Sequence, residues 1–203
     1  MSIQEIIRIL KKNGIGVMPT DTIYGLVGSA LSKKAVERIY KVRKRERNKP
    51  FIVLIGSLND LKKFHVTLGI KHSALLKKIW PGPVSVILSI SDKRQATSNK
   101  FKYLHRGAKT LAFRLPAEKW LRNFLKKSGP LVAPSANIAG QLPAKNIKEA
   151  KEYFGSRVDP VRNLARASRA QRALGRAISN GVDFYIDKGT RNGMPSTLIE
   201  IKR

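Results

Sequence analysis

The sequence contains no cysteine, and this absence excludes disulfide bonds and thiolate metal sites. Its three histidines, His65, His72 and His105, do not have the spacing of metal ligands, which argues against a structural zinc. Acidic residues are scarce, because 13 Asp and Glu stand against 41 Lys and Arg. No paired acids and no Ser-His-Asp set are visible, so a protein nucleophile is not indicated.

Long hydrophobic runs and the common nucleotide-binding motifs are also missing. The longest apolar candidate, residues 79–91, is too short to span a membrane and holds two prolines. Residues 1–14 have the periodicity of a helix and no cleavage site, so we expect no signal peptide and a cytoplasmic protein. Neither GxxxxGK[ST] nor GxGxxG occurs, which excludes P-loop and Rossmann nucleotide sites.

What is present in excess is positive charge. The chain of 203 residues has a formal net charge of +28, and 42% of its residues are hydrophobic, enough for one domain with a real core. Such a charge predicts attraction to polyanions such as tRNA, other RNA or nucleotide phosphates. The alternative is an organism whose proteins are all basic, which requires no nucleic-acid partner.

The stretch PTDTIYGLVG, residues 19–28, is the most unusual part of the chain. The apolar run 15–18 before it predicts a short buried strand. Two threonines and an aspartate then follow, and polar groups of this kind are not buried without partners. We interpret the stretch as a strand end that presents hydroxyl groups to a cleft, with Gly25 and Gly28 allowing close approach of a ligand. A strand followed by a plain polar loop is the alternative.

Three further features have both a functional and an ordinary interpretation. The basic segment 41–50 is either a solvated helix end or a clamp for a polyphosphate, since arginine forks match phosphate oxygens. Arg114, the one charge on an apolar strand, is either at an exposed strand end or an anchor for a carboxylate. Ser135 and Asn137 form either an ordinary turn or a hydrogen-bonding pair for a ligand.

The order of elements predicts an α/β fold. Helices and strands alternate irregularly, and residues 84–90 alternate apolar and polar side chains as a strand does. These features favour a single three-layer domain, residues 1–203, with a twisted mixed sheet flanked by helices. Residues 91–109 are polar and basic and predict a mobile loop.

Residues 160–181 form a basic, alanine-rich segment that we interpret as a helical insertion. The dipeptide Val-Asp precedes it at residues 158–159 and follows it at residues 182–183. Removing the residues between would leave a normal short connection from helix to strand. A solvent-exposed excursion is the favoured interpretation, because its apolar face is weak. An RNA- or partner-binding helix is the alternative.

Six motifs follow one another in an order typical of a known family: PTDTIYGL, KPFIVLI, WPGPVSVIL, LAFRLP, APSANIAG and STLIEI. With these motifs the chain resembles the YrdC-like family, the L-threonylcarbamoyladenylate synthases, in a short single-domain form. The resemblance implies a three-layer YrdC-like fold. It also implies a nucleotidyltransferase reaction in which L-threonine, bicarbonate and ATP give threonylcarbamoyl-AMP and pyrophosphate, with Mg²⁺ carried by ATP and no metal site of the protein's own.

The resemblance also implies roles for individual residues. Catalytic positions fall on Arg43, Arg45, Ser135 and Asn137, although the family usually has lysine where this chain has Arg43. Threonine-binding positions fall on Thr22, Arg114 and Ser135. ATP-binding positions fall on Arg45, Lys49, Thr110, Asn137 and Ser196.

Two other functions stay open at this point. One is a non-catalytic RNA-binding protein on the same fold, in which Arg43 replaced lysine after activity was lost. The other is a carbamoyl-adenylate enzyme that uses an acceptor other than threonine. For the synthase, the expected partner is an enzyme that modifies tRNA, and direct contact with tRNA is a further expectation.

Overall fold

The computed structural model describes residues 1–90, 99–155 and 181–201 of the chain. These residues form an eight-stranded mixed sheet in the order β7-β1-β2-β6-β3-β5-β4-β8. The strands are β1 Ile15–Pro19, β2 Tyr24–Ser29, β3 Val53–Leu54, β4 Val84–Ser89, β5 Thr110–Arg114, β6 Leu131–Val132, β7 Phe184–Tyr185 and β8 Thr197–Glu200.

Three of the described α-helices begin at a side-chain cap, provided by Ser2, Ser32 and Asn146. The α-helices are α1 Ile3–Lys11, α2 Lys33–Arg43, α3 Ile70–Ile79, α4 Lys102–His105, α5 Lys119–Ser128 and α6 Ile147–Phe154, with 3₁₀ turns at Leu58–Phe64 and Asn99–Phe101. Ser2 and Glu5 form the capping box of α1. The hydroxyl of Ser32 caps the start of α2. Its C-cap residue, Lys44, has a left-handed backbone conformation, φ 52°.

Two hydrophobic cores lie on opposite faces of the sheet. Successive strand residues contribute to opposite cores, because side chains alternate across a strand; Val53 and Leu54 are one such pair. Helices α1 and α5 cover the face of Leu54, and α2 and α6 supply residues to the core that includes Val53. The predicted α/β class with three layers and a mixed sheet is therefore confirmed.

Strand pairing brings distant parts of the chain to one edge of the fold. β1 and β2 form an antiparallel hairpin whose turn holds residues 20–23. β5 runs parallel to β3, with Arg114 opposite Leu54. Beyond β6, Ser135 forms a bridge with Gly25 of β2. The ends of β1, β5 and β6 thus meet beside the hairpin turn.

Residues 99–105 differ from the predicted mobile loop. They contain a 3₁₀ turn followed by α4, and Phe101 and Leu104 are buried. The ring of Phe101 lies 5.4 Å from that of Phe64 in the larger core. The prediction was wrong here because two apolar anchors, three positions apart, outweigh the basic residues around them. Residues 91–98 lie outside the described residues.

The predicted insertion, residues 160–181, also lies outside the described residues apart from its last position. Behind it, Asp183 accepts hydrogen bonds from the backbone nitrogen of Ile15, at 2.8 Å, and from Arg38 of α2, with which it forms an ion pair. These contacts fix the returning chain beside β1. In the described residues, no helix has the length and apolar character needed to cross a membrane.

Candidate active site

A cavity of about 200 Å³ opens where the β1–β2 turn, the end of α2 and the ends of β5 and β6 converge. Its polar and charged lining comes from segments far apart in the chain: Thr20, Thr22, Arg43, Arg45, Arg114, Ser135 and Ser196. Phe51, Pro134 and Pro195 add apolar wall. Three arginines around a space of this size make it a site for anionic groups.

The β1–β2 turn presents the hydroxyl groups that its sequence indicates. The Thr20 and Thr22 hydroxyl oxygens are 3.0 Å apart, and the Thr20 hydroxyl also donates to the carbonyl of Ile23 at 2.7 Å. Both threonines are buried. Sequence reasoning selected Thr22 and missed Thr20, although both belong to the same PTDT motif. Thr20 holds the turn in shape through its bonds to residues 22 and 23, and both threonines line the cavity.

Arg114 is buried in the cavity wall and paired with Asp21. Its Nη2 lies 3.1 Å from the Asp21 carboxylate, and the two side chains are 5% and 2% exposed. Burial lowers the pKa of Arg114, and Asp21 acts in the opposite direction. A buried guanidinium beside a carboxylate remains charged. The Nε of Arg114 is itself buried and has no hydrogen-bond partner among the described residues.

Arg43 connects the end of α2 to the loop after β6. Its Nε donates to the backbone carbonyl of Asn137 at 2.9 Å, and its Nη2 donates to Asn137 Oδ1 at 2.9 Å and to Ser135 Oγ at 3.2 Å. Burial, with a smaller contribution from nearby Arg45, lowers the pKa of Arg43 to about 10. The side chain is therefore a cation at neutral pH. It contacts Ser135 and Asn137, two other positions predicted to be catalytic.

Asn137 lies behind the cavity and does not line it. Besides accepting from Arg43, its amide nitrogen donates to the carbonyls of Ile138 and Gln141, at 2.8 and 2.7 Å. The amide is thus engaged on both its oxygen and its nitrogen by the protein itself. The structure places Asn137 as a support for Arg43 and for the loop that carries Ser135. Its predicted contact with ATP stays a prediction.

Arg45 contrasts with Arg43, because its guanidinium is largely unengaged. It is half-buried, and its Nε makes one long hydrogen bond of 3.4 Å to the carbonyl of Lys49. No ion pair involves it among the residues that the structure describes. Arg43 therefore braces the site, whereas Arg45 has donors to offer to a ligand.

The other predicted ATP positions are not all at the cavity. Ser196 lines it, and its hydroxyl oxygen lies 2.9 Å from that of Ser85. Lys49 is exposed and pairs with Glu46 at 3.0 Å. Thr110 lies opposite Ser89 at the far end of β5 from Arg114 and does not line the cavity. The ATP roles of Lys49 and Thr110 remain predictions.

The segment before β8, residues 187–196, forms one wall, and sequence reasoning identified only Ser196 of it. The hydroxyl of Tyr24 donates to the carbonyl of Gly189 at 2.7 Å, and burial raises the pKa of this phenol. Gly193 packs so closely on Thr22 that a Cβ there would lie 2.2 Å from the Thr22 carbonyl oxygen. The segment is therefore held against the β1–β2 turn.

No group of three or more His, Cys, Asp or Glu side chains within residues 1–90, 99–155 and 181–201 has the arrangement of a metal site. The acidic group nearest to the site chemistry, Asp21, is occupied by Arg114.

Known proteins are similar to this chain in sequence and in fold. Threonylcarbamoyl-AMP synthase of Pyrococcus abyssi is 30% identical over 95% of this chain and 48% of its own length. A protein of the same name from Baumannia cicadellinicola is 30% identical, over 77% of each chain. Over the first three curated relatives compared, the chain spans 48%, 37% and 50% of their length, about half or less.

Solved structures agree with this relationship. The crystal structure of P. abyssi Sua5 complexed with L-threonine superposes with a TM-score of 0.75, at 26% identity, over 98% of this chain and 50% of that one. E. coli YciO superposes with a TM-score of 0.74 over 99% of this chain and 84% of that one; at 22% identity it supports the fold alone. The predicted three-layer YrdC-like fold is thereby confirmed.

A family model named Sua5/YciO/YrdC, with the description telomere recombination, matches residues 8–169. This chain belongs to the Sua5/YciO/YrdC family.

Proposed function

We propose that this chain is an L-threonylcarbamoyladenylate synthase, which condenses L-threonine, bicarbonate and ATP to threonylcarbamoyl-AMP and pyrophosphate. The observation that carries the proposal is one shared cavity. Thr22 and Arg114 line it beside Arg45 and Ser135, although these residues come from separate segments of the chain. The names of the relatives from P. abyssi and B. cicadellinicola support the same reaction.

The amino acid would lie at the end of the cavity that holds Arg114. An arginine fork suits a carboxylate, and Arg114 lines the cavity. The hydroxyl groups of Thr22 and Ser135 would bind the remaining polar groups of threonine. The related Sua5 structure complexed with L-threonine supports threonine as the amino acid.

The phosphates of ATP would lie at the end that holds Arg45. Bicarbonate takes up a proton and gives carbon dioxide and water; threonine's amine then adds to the carbon dioxide and loses a proton, giving a carbamate. A carbamate oxygen then attacks the α-phosphorus, and the bond to the leaving pyrophosphate breaks. Arg43 and Arg45 would stabilise the negative charge on the phosphates, so catalysis depends on positioning and charge, with no protein nucleophile. The substrate is ATP with its own Mg²⁺.

Pyrophosphate release tests the proposal. We expect release that requires both threonine and bicarbonate in the natural chain. Arg114→Lys keeps the charge beside Asp21 but loses the planar fork, so the KM for threonine should rise about 10-fold or more, with the KM for ATP little changed. Lys127→Gln, an exposed change on α5, is the matched control. Pyrophosphate release that does not depend on threonine would refute the assignment. Equal KM values for threonine in Arg114→Lys and the control would refute it too.

An acceptor-swap assay separates threonine from other amino acids, and serine in place of threonine is the closest competitor. If another acceptor supports faster release than threonine, the chain is a carbamoyl-adenylate enzyme of different specificity.

The net charge of +28 supports a second interaction, with tRNA. In the proposed pathway, the product passes in the cytoplasm to an enzyme that modifies tRNA. A tRNA mobility shift measured across salt concentrations tests direct contact, because binding through phosphates weakens steeply with salt. Binding that does not change with salt would argue against a phosphate-driven interaction.

A further inference from the structure

Two stacked aromatic rings, each with an arginine over it, form a stack that ends at the cavity. The rings of Tyr40 and Phe51 are stacked, with centroids 4.1 Å apart and planes at 25°. The Arg106 guanidinium lies 4.2 Å from the centroid of Tyr40. Because Phe51 occupies one face of that ring, Arg106 must occupy the other. The Arg45 guanidinium lies over the Phe51 ring at 5.5 Å, and both of these residues line the cavity.

The end of the stack at Arg106 is firmly held by a hydrogen-bonded ion pair. The Nη2 of Arg106 donates to Glu37 Oε1 at 2.8 Å, and the two side chains are only 14% and 25% exposed. Glu37 belongs to α2, the helix that ends at the site. Arg106 has a φ of 52°, a left-handed conformation that side chains other than glycine rarely adopt. Its contacts with Glu37 and Tyr40 account for an arginine at this backbone position.

The end of the stack at Arg45 is held by few hydrogen bonds. Arg45 makes its one long bond to the carbonyl of Lys49, and that same carbonyl accepts the Tyr40 hydroxyl at 2.8 Å. Tyr40 therefore acts twice: its ring supports Phe51, and its hydroxyl fixes the turn beneath Arg45. Without the Phe51 ring, few described contacts would restrict the Arg45 guanidinium. Fixing a long side chain costs much rotamer freedom, so the ring contact matters for its position.

We propose that Arg106 is a positioning residue for Arg45. It holds the Tyr40 ring from behind, Tyr40 holds Phe51, and Phe51 presents the face on which Arg45 rests. Each cation–ring contact is attractive. The inference rests on the proposed function, because it takes Arg45 as the side chain that binds the phosphates of ATP.

The test compares ATP binding by calorimetry with the KM for threonine in single variants. Arg106→Gln should weaken ATP binding by about 3- to 10-fold, with the KM for threonine within about two-fold of the natural chain. Arg106→Lys keeps a cation between Glu37 and the ring and should retain most of the affinity. Lys102→Gln removes one positive charge from an exposed position of α4, so it controls for net charge and should bind ATP normally.

Phe51→Leu is a second route to the same question, should Arg106→Gln lower the folded fraction. Leucine keeps the site apolar but removes the ring, and the same selective loss of ATP affinity is expected. Unchanged ATP affinity in Arg106→Gln or in Phe51→Leu overturns the inference, as does an equal loss in Lys102→Gln. ATP binding without threonylcarbamoyl-AMP formation overturns the proposed function alone. No ATP binding by the natural chain overturns both.

Discussion

Arg43 and Asn137 are joined by two hydrogen bonds, one from Nε to the backbone carbonyl and one from Nη2 to Oδ1, each 2.9 Å long. They connect the last residue of α2 to the loop after β6. The backbone adds a third connection, because the nitrogen of Ala139 donates to the carbonyl of Arg43 at 2.8 Å. The helix end that leads into Arg45 and the loop that carries Ser135 are therefore fixed relative to each other.

The Arg43→Lys variant is expected to be active but less stable. Lysine keeps the charge, but one nitrogen replaces a fork that donates to Asn137 twice and to Ser135 once. The free energy of unfolding should fall by about 1–2 kcal/mol. Urea denaturation and threonine-dependent pyrophosphate release check the two parts. An inactive natural chain that lysine rescues would show that arginine at this position is a defect.

Gly193→Ala is expected to impair threonine use. The new Cβ would lie 2.2 Å from the carbonyl oxygen of Thr22, so either the segment 187–196 or the β1–β2 turn must move. A displaced Thr22 should raise the KM for threonine about 10-fold, with a smaller effect on ATP. Met194→Ala, at a neighbouring side chain that is 81% exposed, is the control. Equal kinetics in the two variants would contradict the close packing.

The stability of the protein is expected to fall between pH 10 and pH 12 partly through Tyr103. Its hydroxyl donates to the carbonyl of Ala30 at 2.9 Å, and burial raises its pKa from 10.0 to about 12. Below pH 10 the phenol is neutral in both states. Above it the unfolded chain loses the proton first, so stability decreases as pH rises towards the folded pKa. The Tyr103→Phe variant should show a shallower decrease over this range in denaturation curves, and identical slopes would contradict the assignment.

Removal of residues 158–181 is expected to leave a folded and active protein. The chain on either side is held together, because the Tyr185 hydroxyl donates to the carbonyl of Gly155. Asp183, which pairs with Arg38, is retained in the shortened chain, and we expect the ion pair to persist. Thermal denaturation and pyrophosphate release should match those of the full chain. Loss of tRNA binding with unchanged activity would instead assign the segment to RNA, and loss of folding would show that it is not an insertion.

The sequence predicted the site residues whose chemistry is unusual for their position. Thr22 at a strand end and Arg114 on an apolar strand both line the cavity with Ser135. The residues that sequence reasoning missed act through tertiary contacts. Asp21 carries no mark that it pairs with Arg114, and Tyr40 has the pattern of an ordinary core residue. Such roles depend on which segments pack together, and no local pattern contains that information.

The sequence also does not show which contacts a predicted residue makes in the folded protein. By resemblance, Asn137 is predicted to bind the nucleotide, and this contact stays a prediction. The sequence did not show that the folded loop offers its amide the carbonyls of Ile138 and Gln141 and the guanidinium of Arg43. Thr110 shows the converse, since its strand was predicted correctly while its position along β5 lies away from the cavity.

The most direct measurement is mass spectrometry of the product made from ¹³C-labelled bicarbonate, L-threonine and ATP. The proposed function predicts a threonylcarbamoyl-AMP that carries the label in its carbamoyl carbon and forms in step with pyrophosphate. Formation of this product should depend on Arg114 and Arg45, two of the arginines that line the cavity. Pyrophosphate without labelled product, or no turnover by a folded chain that binds both substrates, would contradict the account.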